Sequence, residues 1–323
     1  MSEPWVITGA NGYLGGELCQ GLALRGKHVF AVARAGRALE GLAKAGIACS
    51  TYDEMRRILV EGSVLVHCAG KVGVTGSWHE FESVNKDWPL FLFDQAAQSG
   101  VRCFIYVSSV AAIGYSNRPD QGTLDETAPS KLLAGELYGR SKWLAEQSLL
   151  ERAKTVSTRL VILRPGLVYG RRPFGFPQGW LRRGIIADPL QRLPLLHIES
   201  FINAVMCVAE HRSASGVFFV VDEEQPRLLE VNELRLKHGI LKYQPWRVGR
   251  PVFRTLCMLR SLVRILRSKR GTVPKGYARV QYCLNVRRLE YSTKKIRTET
   301  GWRPSLTLEE GIKTCRYETQ KRT

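Results

Sequence analysis

The chain has no run of about 18 uncharged apolar residues, the length a membrane-spanning helix needs, so a spanning segment is not expected. Its first residues lack the basic start and apolar stretch of a secretory signal. No CxxC pair occurs among the eight cysteines (Cys19, Cys49, Cys68, Cys103, Cys207, Cys257, Cys283 and Cys315), and no histidine cluster accompanies them. A zinc or other metal site is therefore not expected, and reduced thiols in a cytoplasmic protein are the plain reading. Zinc-finger spacings and RNA-binding sheet motifs are also missing, which argues against nucleic acid as a partner. Internal repeats and low-complexity linkers are absent too. Acid is scarce: 29 Asp and Glu stand against 48 Lys and Arg, for a net charge of +19. Most of that imbalance lies in residues 226–323, where 24 Lys and Arg meet 7 Asp and Glu, an excess of 17. Such a field favours anionic partners, whether a phosphorylated cofactor, an acidic lipid or an acidic substrate.

What is present is ample apolar material. At 323 residues and 44% hydrophobic, the chain can bury a full core, as one large or two moderate domains. Trp5-Val6-Ile7 reads as a strand, and Gly9, Gly12 and Gly15 follow it at once. Leu14, Leu18, Leu22 and Leu24 then recur near a 3.6 spacing, which predicts a helix. Strand, glycine turn and helix let backbone approach a pyrophosphate and aim a helix N-terminus at it. Further apolar runs occur at Val29–Ala33, Val64–Ala69, Cys103–Val107 and Leu160–Leu163. They are nearly continuous, as expected of parallel strands buried on both faces. Helical stretches such as 89–98 and 137–152 separate them. The alternation predicts a doubly wound α/β sheet.

In such sheets the end of the second strand distinguishes the two nicotinamide cofactors. An acid there accepts from a ribose 2′-hydroxyl, whereas an arginine accommodates a 2′-phosphate. Here the strand runs into Ala33-Arg34-Ala35-Gly36-Arg37, with no acid before Glu40. Arg34, supported by Arg37, points to NADP(H), with NAD(H) as the alternative; both arginines could equally solvate a surface turn. Asp53 sits where a third strand would end, placed to meet an adenine amino group or to cap the helix that follows.

The chemistry begins at Ser108-Ser109 and at Tyr138-Gly139-Arg140-Ser141-Lys142. Two hydroxyls directly after a buried strand lie at its C-terminal end, where ligands bind in these sheets. Tyr138 and Lys142 are four apart on a helical pattern and share a face. An ammonium near a phenol favours the phenolate, which makes a tyrosine usable as a general acid or base. A serine hydroxyl beside it can hold a substrate oxygen as charge develops. Taken alone, Tyr and Lys at this spacing also occur on solvated helix faces.

Several motifs appear in order along the chain: Thr8–Gly15, His67-Cys68-Ala69-Gly70, Asn85, Tyr106-Val107-Ser108-Ser109, Tyr138–Lys142 and Leu163-Arg164-Pro165-Gly166-Leu167-Val168-Tyr169-Gly170. His197-Ile198-Glu199-Ser200-Phe201 and Gly301-Trp302-Arg303-Pro304 with Glu310-Gly311 continue the series. Together they resemble the extended short-chain dehydrogenase/reductases, the NAD(P)-dependent epimerase/dehydratase family, over nearly the whole chain. The resemblance implies a Rossmann domain at 1–170, rejoined by 197–212. A smaller mixed substrate-binding domain would comprise 171–196 and 213–323. It makes Tyr138 the proton donor or acceptor, Lys142 the ribose ligand that tunes it, and Ser109 the group that orients the substrate oxygen. Asn85 would hold loops near the cofactor. Gly9, Asn11, Gly12, Tyr13, Leu14, Gly15, Ala69, Gly70, Lys71, Pro165, Gly166 and Val168 would line the cofactor. A homodimer would be formed through the helix that holds Tyr138.

Departures narrow the choice within that family. Its dehydratases carry an Asp-Glu pair after the active hydroxyl; here Val110-Ala111-Ala112 follows Ser109. Sugar epimerases commonly place a tyrosine before the glycine at position 114, where this chain has Ile113. Gln191-Arg192-Leu193-Pro194-Leu195-Leu196-His197 is closer to the 3β-hydroxysteroid dehydrogenase-like branch and to reductases of long-chain β-keto acids. A small hydrophobic ketone or secondary alcohol is therefore the expected substrate, with a nucleotide sugar as the alternative. Residues 252–270 combine an arginine stripe (Arg260, Arg264, Arg267) with an apolar face (Leu256, Leu259, Val263, Leu266). That is the pattern of an interfacial helix on an anionic membrane. It is equally the pattern of a substrate-domain helix packed on the core with its arginines solvated, or of a dimer helix.

Overall fold

The computed structural model describes residues 3–35, 39–116, 122–171, 185–268 and 272–315. Seven parallel strands form one sheet: β1 (Pro4–Thr8), β2 (His28–Ala33), β3 (Ala48–Thr51), β4 (Val64–His67), β5 (Cys103–Val107), β6 (Arg159–Pro165) and β7 (Gly216–Val220). Their order is β7-β6-β5-β4-β1-β2-β3. Strand order reverses between β1 and β4, and the crevice above that point is where such sheets bind ligands.

Alternation within each strand divides the core. Ile7, Val66, Ile105 and Leu163 face one layer, built from α1 (Tyr13–Leu24) and a later helix (Ile198–Glu210). Val6, Leu65, Phe104 and Ile162 face the other, built from α2 (Trp88–Gln98) and α3 (Leu137–Ala153). Because both faces are covered, the central positions of β1, β2, β4, β5 and β6 are apolar, and the polar residues Thr8, His67 and Arg164 sit near strand ends with partners of their own, which explains the apolar runs. A fully buried side chain such as Phe104 contributes about 1.5–3 kcal/mol by removal from water.

β7 pairs with β6 from Gly216↔Val161 to Val220↔Pro165, so the chain's return to the sheet runs past residue 212 to Val220. Trp302, 1% exposed, closes the first layer and donates its indole N–H to the Ser200 carbonyl at 3.0 Å. The remaining C-terminal part packs on short strand pairs, Trp246–Arg247 with Ile185–Ile186 and Glu290–Tyr291 with Thr123–Leu124. A small core of Ala187, Phe253 and Cys257 ties in α4 (Arg250–Arg267), which lies against α5 (Tyr277–Val286). Among the described residues, no helix is long and apolar enough to cross a membrane.

Candidate active site

The glycine turn is built for close approach. Gly9 has φ +74°, and a Cβ there would stand 2.6 Å from the Ala69 nitrogen. At Gly15 a Cβ would meet the Gly9 carbonyl oxygen at 2.3 Å. The first glycine therefore lets the turn lie against the end of β4, and the last lets α1 begin directly above the turn. Thr8 and His67, at the ends of β1 and β4, are joined side chain to side chain at 2.7 Å. Burial, aided by the nearby Lys142 charge, holds His67 down to about 3, so it is neutral.

A cleft of about 840 Å³ opens over this turn. Gly9, Asn11, Gly12, Arg34, Asp53, Ala69, Gly70 and Lys71 line it, as the sequence suggests for a dinucleotide site. Asp53 makes no cap to the short helix Met55–Ile58, whose N-cap position is Glu54. Arg37 lies outside the described residues. Tyr13 and Leu14 open α1 half-buried, packed against the core beneath the sheet, and Val168 does the same from the segment after β6. Gly166 donates its N–H to Val220 at 3.0 Å, and Pro165 ends β6 opposite Val220.

The cleft also takes in groups that sequence reasoning missed: Tyr52, His79, Glu80, Ser83 and Trp88. Tyr52 meets Trp88 edge-on at 5.2 Å. Glu80 pairs with Lys71 at 3.5 Å and closes a capping box with Ser77. The spacing Ser77-x-x-Glu80 is the helix-start signal that could have flagged this lip.

Lys142 connects the cleft to the chemistry. A Cβ on Gly70 would lie 3.5 Å from its Nζ. The buried ammonium donates to the Val107 carbonyl at 2.8 Å and sits 4.5 Å from the centre of the Tyr106 ring. Burial pulls Lys142 down to about 8, against the opposing pull of Glu146. Asn85 holds the adjoining loop: its Oδ1 accepts from the Lys71 N–H at 2.7 Å. Its Nδ2 donates to the Lys71 carbonyl and to Ser141, each at 2.9 Å.

Tyr138 is half-buried at the start of α3, and the Ser109 hydroxyl is close enough to favour its phenolate. Burial nevertheless dominates and pushes the phenol up to about 12. Desolvation outweighs the help from the Ser109 hydroxyl, and the Lys142 ammonium is given to the Val107 carbonyl. Ser109 caps the turn Val110–Ile113, accepting from the Ala111 N–H at 3.1 Å. All four residues of that turn are buried and apolar, so no second acid or base follows the serine.

Behind the site lies a buried ion pair. Glu146, four residues beyond Lys142 on α3, pairs with Arg164 at 2.7 Å and accepts from the Ser108 hydroxyl. Their side chains are 0% and 6% exposed. The pair locks α3 to β6 and fixes Ser108, the neighbour of Ser109, on its strand end. Glu136, just before α3, accepts from the Tyr115 and Leu133 N–H groups at 3.1 and 3.2 Å. Burial pushes it up to about 7.

Residues 5–221 match the model of the NAD dependent epimerase/dehydratase family. The chain belongs to that family. Its fold is an extended short-chain dehydrogenase/reductase fold, and the chain is an NAD(P)-dependent enzyme acting on CH–OH groups. It is 28% identical to a UDP-glucose 4-epimerase of Vibrio cholerae, over 97% of this chain and 94% of that one. It is 22% identical to a 2-alkyl-3-oxoalkanoate reductase of Stenotrophomonas maltophilia, over 95% of this chain and 97% of that one. Among solved structures, MoeE5 in complex with UDP-glucose and NAD superposes with a TM-score of 0.70 at 21% identity, covering 97% of each chain.

Proposed function

We propose that the chain interconverts a ketone and a secondary alcohol on a hydrophobic substrate, with NADP(H) as the preferred cofactor. The observation that carries the reaction is Ser109 facing Tyr138, followed by a turn that offers no further acid or base. Gly9 and Gly12 would admit a pyrophosphate, Lys142, 3.5 Å from a Cβ placed on cleft-lining Gly70, would hold the nicotinamide ribose, and Arg34 would meet a 2′-phosphate. The cofactor supplies or accepts the hydride. In reduction, Tyr138 donates a proton to the substrate oxygen while Ser109 hydrogen-bonds it as charge develops. In oxidation, the same phenol takes the proton back. Lys142, anchored on the Val107 carbonyl, would hold the nicotinamide ribose.

The alternative is a nucleotide-sugar epimerase, which the Vibrio cholerae relative favours by its coverage of nearly the whole chain. Ile113 and the segment Gln191–His197 support the ketone reading instead. A panel of sterols and β-keto acids, run with each cofactor while following reduced-nicotinamide absorbance, and of nucleotide sugars, followed by chromatographic separation of the epimers because epimerisation leaves the nicotinamide unchanged overall, separates the two. Turnover confined to nucleotide sugars, with a nucleoside diphosphate raising the melting temperature, would establish the epimerase. Arg34→Ala should weaken NADP(H) about 10- to 100-fold and leave NAD(H) nearly unchanged, since a hydrogen bond to a charged group contributes about 1.5–3 kcal/mol. Equal loss for both cofactors would remove Arg34 from the 2′-site.

A further inference from the structure

α4 is amphipathic in the reverse sense to a helix of a soluble domain. Phe253, Cys257 and Ser261 are its buried positions. Arg264 lies on that same face, 3.0 Å from the Tyr277 hydroxyl and 5.6 Å from the ring centre. Arg260 is half-buried beside it. At about 100° per residue, the outward arc collects Val252, Met258, Leu259, Leu262, Val263, Ile265 and Leu266. Each is exposed, from 47% at Val263 to 76% at Leu266. Isolated exposed apolar residues are ordinary, but a contiguous apolar face of this kind marks an interaction surface.

Charge indicates what covers it. Between Glu233 and Glu290 there is no acidic residue, while 15 Lys and Arg occur. Arg254 and Arg267 flank the apolar arc and are exposed. Tyr243 and Trp246, just before the helix, are 80% and 81% exposed, and such side chains favour the boundary between water and lipid. Asp188 meets Arg250 at the start of the helix and Arg288, but α4 itself carries no acid, so a second copy of this chain would bring like charge against like charge. An anionic lipid surface accepts the leucines between its chains and the arginines among its headgroups.

We propose that α4 docks the protein on an anionic membrane surface, lying in the interface with its leucine face inserted. The segment after α4 lies beside the residues that lead into the reaction site: Thr272 accepts from the Gly76 N–H at 2.9 Å, and a Cβ on Gly135 would meet the Lys275 carbonyl at 2.7 Å. Docking does not depend on which substrate the enzyme turns over.

The test is co-sedimentation of the full chain with phosphatidylcholine vesicles, with and without phosphatidylglycerol. Pelleting is expected only with the anionic vesicles and should weaken as salt screens the arginines. The double variant Leu259→Glu/Leu262→Glu should keep the wild-type melting temperature and stay in the supernatant. Absence of pelleting with anionic vesicles would overturn the proposal, as would undiminished pelleting of the folded double variant. Sedimentation equilibrium covers the other occupant: a wild-type dimer that the same variant splits into monomers would assign the face to a second copy instead.

Discussion

Two helices of this protein turn charge inward, and they differ in what they show to water. On α3, Lys142 and Glu146 are buried, and each has a partner: the Val107 carbonyl for one, Arg164 and Ser108 for the other. Its outer face carries Glu151 and Lys154 nearby, an ordinary solvated surface. On α4, Arg264 turns to Tyr277 while leucines face outward. The protein alone accounts for the first arrangement, because each buried charge is compensated and placed beside the reaction site. It does not account for the second, since nothing among the described residues covers the apolar face. Inward charge on α3 therefore serves cohesion and, under the proposed mechanism, chemistry, whereas on α4 it accompanies the apolar face proposed to meet a membrane.

The largest effect should come from the reaction face of α3. Tyr138→Phe removes the proton donor and should lower turnover about 10²- to 10⁴-fold, the usual range for a positioned general acid. Initial rates would show the loss, and a fluorescence titration should show cofactor affinity retained. Unchanged turnover would mean that inward charge on α3 serves cohesion only.

Glu146→Gln tests that cohesion. It leaves Arg164 buried without a counter-charge, and breaking such a pair costs about 3–5 kcal/mol. Urea unfolding should show the loss. By comparison, an exposed charge such as Arg267 on α4 should be removable with little change in stability. A small cost at Glu146 would erase the distinction drawn between the two helices.

The uneven legibility of the sequence has the same origin. The sheet could be read because its central strands are covered on both faces and therefore carry apolar runs, whereas β3, Ala-Cys-Ser-Thr at the edge and half-exposed, gave no such run. The glycine turn could be read because only glycine fits at Gly9 and Gly15. The Glu146–Arg164 pair could not, since an acid in a helix ordinarily indicates a solvated face and its partner lies on the next strand. β7 was missed as a strand of this sheet because Gly216–Val220 follows a helix without a local motif to mark its return. For α4, periodicity gives two faces but not which one is inward. Hydropathy would put the leucines inside; Phe253, Cys257 and the Arg264–Tyr277 contact put them outside.

A smaller and more discriminating effect concerns pH. Lys142 titrates near 8 in the fold, against an ordinary value of 10.5. As pH rises through about 8 the folded protein loses this proton and with it the buried positive charge between the cofactor cleft and the Val107 carbonyl. The reduction rate should therefore fall. Stability should move the other way. Between about 8 and 10.5 the unfolded chain still holds the proton and the folded one does not, so this lysine's contribution to stability rises with pH. Rate profiles and melting temperatures over that window should diverge, and Lys142→Met should remove the lysine's share of both trends. Parallel profiles would mean that the group is not buried as described.

The smallest effect is expected where the surface looks least like that of a soluble domain. Leu262 is 54% exposed on the outward arc of α4. If α3 followed the same design as α4, its outward positions would be apolar as well, and a polar substitution on either helix would matter to folding. Since Leu262 is covered by nothing among the described residues, Leu262→Gln should change unfolding free energy by no more than about 0.5 kcal/mol, as at other surface positions. Thermal and urea unfolding would measure it. A loss of several kcal/mol would show that the leucine is buried against protein in solution, and the contrast between the two helices would then reflect an assembly rather than an interface with lipid.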